Sequence, residues 1–201
     1  MSKFNSQNMP RKEGKEFKIV SADNHLARCY SIVDLGTQTY EYKGEVKQQR
    51  KIRITWELPN ETDIFDGEEK PMIIGNKYTW SFSEKGNLRK MLESWRGQKF
   101  TKEQIDEFDE TKILGVPCLI NVIHAKNSDG SRTYANIGSV SKVMKNMECP
   151  EQFNPSFCYS INDDGFEGDI WDALPEFMQN EIKESLEYKQ LEEFNSPIDG
   201  N

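Results

Sequence analysis

Short apolar runs alternate with polar, turn-forming clusters along the chain, and the period inside each run assigns its element. Residues 27–38 (ARCYSIVDLGTQ), 49–59 (QRKIRITWELP), 76–83 (NKYTWSFS), 115–126 (GVPCLINVIHAK) and 132–143 (RTYANIGSVSKV) carry alternating or continuous β-branched and aromatic residues, which predicts five strands. NSDGS at 127–131 is a turn that joins the fourth strand to the fifth as a hairpin. Between the third and fourth strands, Leu88, Met91, Leu92 and Trp95 recur at helical spacing, with Asn87 placed to cap the start and Gly97 to end the helix. Thr101 followed by Gln104 forms a capping box that opens a second short helix, whose apolar face is Ile105 and Phe108.

Three strands, a helical connection and two more strands is the element order of the OB-fold, a five-stranded, partly open Greek-key barrel that often binds oligonucleotides. The fold expected is therefore mostly β, an OB-like barrel with a helical link between its third and fourth strands. Residues 1–15 are polar, show no apolar period and read as a disordered arm. The body spans 16–147. Beyond it, 148–201 reads as an acidic linker (INDDGFEGDI, 161–170), an amphipathic helix with Asp172 as cap, and a disordered tail. Leu174, Phe177, Met178, Ile182 and Leu186 form the apolar stripe of that helix, with Trp171 at its start. Such a stripe must be covered, either by the chain's own barrel or by a partner protein, in which case Trp171, Leu174, Phe177, Met178 and Ile182 are the partner-binding residues.

The net charge of −8 hides an asymmetry. Residues 1–147 hold 24 Lys+Arg and 20 Asp+Glu, a net of +4, whereas 148–201 hold 2 and 14, a net of −12. No stretch approaches the roughly 20 apolar residues that span a bilayer, and the first residues lack the apolar block of a secretory signal, so a cytoplasmic protein without membrane contact is expected.

None of GxxxxGK[ST], GxSxG, HExxH or GxGxxG occurs. The paired acids Glu68–Glu69 and Asp163–Asp164 lie in polar, loop-like surroundings and read as solvated surface. Cys29, Cys118, Cys149 and Cys158 form no CxxC pair, and His25 and His124 have no cysteine near them in sequence, so neither a metal site nor a disulfide is expected. Cys29 and Cys118 read as small core residues. No catalytic group and no cofactor is assigned.

Basic and aromatic residues interleave from Tyr40 to Trp56 (YEYKGEVKQQRKIRITW). Single-stranded nucleic acid offers a phosphate backbone that cationic side chains follow and base faces on which aromatic rings stack, so this composition suits such a ligand. Strand alternation sends Ile52, Ile54 and Trp56 into the core and leaves Lys51 and Arg53 on the outer face, with Lys43, Lys47 and Arg50 lining the preceding turn and Tyr40 and Tyr42 placed for stacking. Tyr78, Trp80 and Phe82 share one face of the third strand and serve either as core or as a stacking platform. On the helix, Arg89, Lys90 and Arg96 either extend the positive path or form a solvated face.

The segments ARCYSIVDLGTQ, KIRITWELP, LRKMLESWRGQKFT, LGVPCLINVIH and TYANIGSVSKV, followed by WDALPEFMQNEIKES, resemble phage-type single-stranded DNA-binding proteins. The resemblance implies sequence-nonspecific binding and protection of single-stranded DNA in replication or recombination. It also implies an acidic C-terminal region that recruits replication and recombination proteins and competes with DNA for the basic groove. Self-association stays open. The alternative from another class is a protein-interaction module that blocks or adapts a host complex, its acidic region mimicking nucleic acid.

Overall fold

The computed structural model describes residues 18–195 and is mostly β. Its frame is three long antiparallel strands, β1 (Asn24–Tyr42), β2 (Glu45–Phe65) and β3 (Glu68–Thr79), and a second hairpin of β4 (Pro117–Lys126) and β5 (Thr133–Ser141). The strand order is β3-β2-β1-β4-β5. The start of β1, Asn24–Arg28, pairs with β4; further along, at Ser31–Val33, a sixth strand, β6 (Phe157–Tyr159), runs parallel to it. The two edges, β3 and β5, approach within 8 Å without hydrogen-bonded pairing, so the sheet is open.

Two consecutive left-handed residues make each of the first two turns, Lys43 with Gly44 and Asp66 with Gly67. This turn type matches the right-handed twist of paired strands. The Asp66–Gly67 turn closes an arm that the sequence pattern did not assign, because its charged outward residues break the apolar alternation. The 127–131 turn is as expected: the Asn127 N–H donates to the Arg132 carbonyl, and Gly130 supplies the positive φ.

One core lies inside the curved sheet. Ile52, Ile54 and Trp56 of β2 and Cys118, Ile120 and Val122 of β4 meet Leu88, Met91, Leu92 and Trp95 of α1 (Asn87–Arg96) there. The Trp95 indole lies 5.8 Å from Trp56 and donates to the Pro117 carbonyl. Gly97 ends the helix in the left-handed conformation, as expected, but the N-cap is Gly86 and not Asn87, which is the first helical residue. α2 (Lys102–Asp106) opens with both hydrogen bonds of the Thr101–Gln104 capping box.

The second core lies on the opposite face of β1. Val33 and Leu35 are covered by Tyr159 and Ile161 and by Trp171, Leu174, Met178 and Ile182. β1 is thus buried on both faces, which explains its continuous apolar run. The segment 161–170, expected as a linker, contains α3 (Ile161–Asp164) and the start of α4 (Asp169–Ala173). The single helix expected over 171–194 is divided into α4, α5 (Glu176–Lys183) and α6 (Leu186–Asn195). Pro175 forces extended geometry on Leu174 and ends α4; Asp172 lies inside α4, whose N-cap is Gly168. At the α5–α6 joint, buried Ser185 meets Gly36 of β1, where an added Cβ would fall 2.5 Å from the serine Cβ, and Gly36 has a φ of +71°. Only glycine meets both demands.

Two polar clamps hold the chain that leads from β5 to β6. The buried Glu57 carboxylate accepts from the Phe153 and Asn154 N–H groups and from the Asn154 side-chain amide, at 2.7–2.8 Å. The Arg28 guanidinium donates to the carbonyls of Gly115, Cys149 and Pro150. All four cysteines are free, and burial raises the thiols of Cys29 and Cys118 far above the ordinary value.

Candidate nucleic-acid interface

The β1–β2 hairpin carries the clearest exposed aromatic and basic surface. In register, Tyr40 faces Lys47 and Tyr42 faces Glu45 across the two strands. Tyr40 is 36% and Tyr42 52% exposed. Lys43 and Lys47 place their ammonium groups 5.4 and 5.0 Å from the Tyr42 ring centre, and Lys51 lies 5.9 Å from that of Tyr40. The structure thus brings Tyr40, Tyr42, Lys43, Lys47 and Lys51 together on one arm.

Lys51 is the root of this group. Its ammonium donates to the Gln49 side-chain carbonyl and the Thr79 hydroxyl, both neutral acceptors. Partial burial lowers its pKa, the nearby Lys77 charge lowers it further, and Glu181 opposes both. Lys77 itself forms a 2.8 Å ion pair with Glu181 of α5.

The other expected residues are engaged elsewhere. Arg50, expected on the phosphate path, is held in an ion pair by the mostly buried Asp34, which also accepts from the Gly36 N–H. Arg53, expected on an open outer face, lies 5.2 Å from the ring centre of Phe177, and burial lowers its pKa. α5 docks over it because the second core holds Met178 and Ile182 against β1. Tyr78 is in the main core, and Trp80 follows the end of β3 and joins Phe82, Phe100 and Phe108 in a cluster of edge-on and tilted rings; of the two readings of the third strand, core is the one observed. Arg89 pairs with Glu93 at 2.9 Å and also donates to the Phe82 carbonyl. Arg96 donates to the Gln104 side chain and lies over Phe100, at the rim of an apolar recess on the far side of α1. Glu93, between Arg89 and Lys99, is held down to about 2, first by the Lys99 bond and then by that of Arg89.

Of the apolar stripe, Trp171, Leu174, Met178 and Ile182 are buried against the chain's own sheet. Phe177 differs, being 54% exposed. The docking contacts are polar as well as apolar. The Thr37 N–H and hydroxyl donate to the Glu187 carboxylate at 2.8 and 2.7 Å, and the Gln38 amide donates to the Glu181 carbonyl. Burial works against ionisation of Glu187, but the Thr37 bonds outweigh it and leave its pKa below the ordinary value.

The residues that sequence reasoning left out are Lys77 and Lys85, which join Lys90 of α1, expected there as part of a positive path or of a solvated face. They line a polar groove between β3, β5 and α1. Lys77 alternates with Tyr78 on β3, so the same period that buries the tyrosine exposes the lysine; nothing in the sequence brings Lys85 and Lys90 to that strand. Among the described residues no group of three or more His, Cys, Asp or Glu side chains is placed to hold a metal ion, and no helix is long and apolar enough to cross a membrane. Neither a protein-family model nor a curated protein matches the chain.

Proposed function

We propose that this protein binds single-stranded DNA with little sequence preference and protects it during phage-type replication or recombination, acting in the cytoplasm without catalysing a reaction. The observation that carries the reading is the β1–β2 arm, where two exposed tyrosines stand among Lys43, Lys47 and Lys51. Stacking on such rings is worth about 1–3 kcal/mol per base and is indifferent to base identity, while the lysines neutralise phosphates and make affinity fall with salt. The β3-β2-β1-β4-β5 order with α1 between β3 and β4 supports reading the body as an OB-type, partly open barrel. The acidic C-terminal layer recruits replication or recombination proteins through its outer side.

A second reading rests on that same layer. Asp169, Asp172, Glu176 and Glu184 are all exposed on the layer that also exposes Phe177, an acidic and partly aromatic surface that suits a protein partner and a nucleic-acid mimic. A titration of fluorescent oligo-dT at several salt concentrations, beside duplex of equal length, separates the two. Tight single-strand binding with a steep salt slope and weak duplex binding is the expected result. No binding at low salt, even with those four carboxylates changed to amides, sinks the first reading and leaves the second. Substitution is the right tool here, because truncation after Met147 would uncover Val33 and Leu35.

A further inference from the structure

The open seam between the edge strands holds a groove of about 680 Å³. β3 contributes Lys77 and Thr79, the loop before α1 contributes Lys85, and α1 contributes Asn87, Lys90 and Ser94. Among the described residues no carboxylate lines it. Lys85 and Lys90 are exposed and their side chains make no hydrogen bond or ion pair among the described residues, so the groove carries positive charge that the protein leaves unneutralised. Around these ammonium groups stand hydroxyls and side-chain amides, and Tyr78, the one ring among its described lining residues, is buried in the core. Such walls suit phosphates and sugars rather than stacked bases.

The groove also continues the arm described above. Gln49, Lys51 and Lys77 border both it and the adjacent recess that holds Tyr40. A strand stacked on Tyr42 and Tyr40 therefore reaches Lys51 and Lys77 next and Lys85 and Lys90 after them. We infer that the seam between β3, β5 and α1 is the phosphodiester-binding half of the single-strand site, with Lys77, Lys85 and Lys90 holding successive phosphates of a strand whose bases stack on the β1–β2 arm. This rests on the single-strand reading and adds to it a second, base-blind segment and a direction of travel.

The test compares the full chain with its Lys85→Gln/Lys90→Gln variant, using fluorescent oligo-dT of about 6 and about 20 nucleotides, lengths that bracket one binding fold. Neither lysine has a bond to lose, and a thermal melt confirms that the variant folds. The expected result is an unchanged affinity for the short oligonucleotide, a loss of about tenfold for the long one, and a salt slope for the long one lower by about 1.4, at roughly 0.7 per phosphate contact. A Lys126→Gln/Lys145→Gln control, outside the groove, leaves both affinities in place. An unchanged long-oligonucleotide affinity and slope, or an equal loss in the control, overturns the groove while the single-strand function stands; failure of the unmodified chain to bind either length overturns both.

Discussion

The start and the middle of β2 obey the same alternation and meet opposite fates. Near the tip, Lys47 stands beside exposed Tyr40 and Tyr42; nearer the root, Arg53 lies under Phe177 and Glu57 is buried beneath residues 153–154. All three side chains are charged and all occupy odd-numbered positions, away from Ile52 and Ile54. What separates them is a layer of chain more than 90 residues downstream that docks on the root and stops short of the tip. An outward-facing charge is thus a ligand-binding candidate only where nothing later in the chain folds back over it.

The comparison breaks most severely at Gly36. Gly36→Ala places a Cβ against Ser185 at a left-handed φ, and we expect a loss of about 3 kcal/mol or more in urea unfolding, with a shift of Trp171 fluorescence as the layer lifts from β1. Unchanged stability would show that the layer does not need this contact. At the tip, Tyr42→Ala leaves the melting temperature in place, since the ring is half exposed, but weakens oligo-dT binding by about 1–3 kcal/mol. A tyrosine variant that melts early but binds normally would instead make the arm structural.

Acid separates root from body. The Glu187 pKa lies below its ordinary value, so the stability it contributes is complete above that value, about 4.5, and is lost as pH falls through the folded-state pKa. Glu187→Gln should cost about 1 kcal/mol at neutral pH and flatten the acid limb of the stability curve. Glu93, held at about 2, follows the same sign, and its loss continues to lower pH in the body. The smallest effect is expected at the border between the two regions. Glu181→Gln frees Lys77 from a half-exposed ion pair and should tighten single-strand binding by no more than about fivefold, in line with the ~0.2–1 kcal/mol of such pairs. A weaker complex would mean that Glu181 orders Lys77 for the ligand.

Much of the frame was legible locally. The alternation at Lys51–Trp56, the hairpin turn at 127–131, the α1 face and the Thr101–Gln104 box each depend on residues within a few positions of one another. The Lys43–Gly44 and Asp66–Gly67 turns carried a usable signal, a glycine beside a polar residue between strands, although only the first was read as a turn. The site was less legible. Arg50, Arg53, Arg89 and Arg96 look alike in the sequence, yet each is held by a different neighbour: Asp34, Phe177, Glu93 and Gln104.

The sequence by itself determined the mostly β character, the sidedness of β2, the separation of a mildly basic body from an acidic end, and the aromatic-basic composition of the first hairpin. These follow from period, propensity and charge, which act over a few residues. Only the tertiary structure decided that the acidic end is a packed layer on β1, that Arg53 is covered while Tyr42 is not, and that Lys77, Lys85 and Lys90 share one groove. Those outcomes depend on contacts between distant segments, as where Gly36 admits Ser185, and no local pattern encodes which cations a later segment will bury.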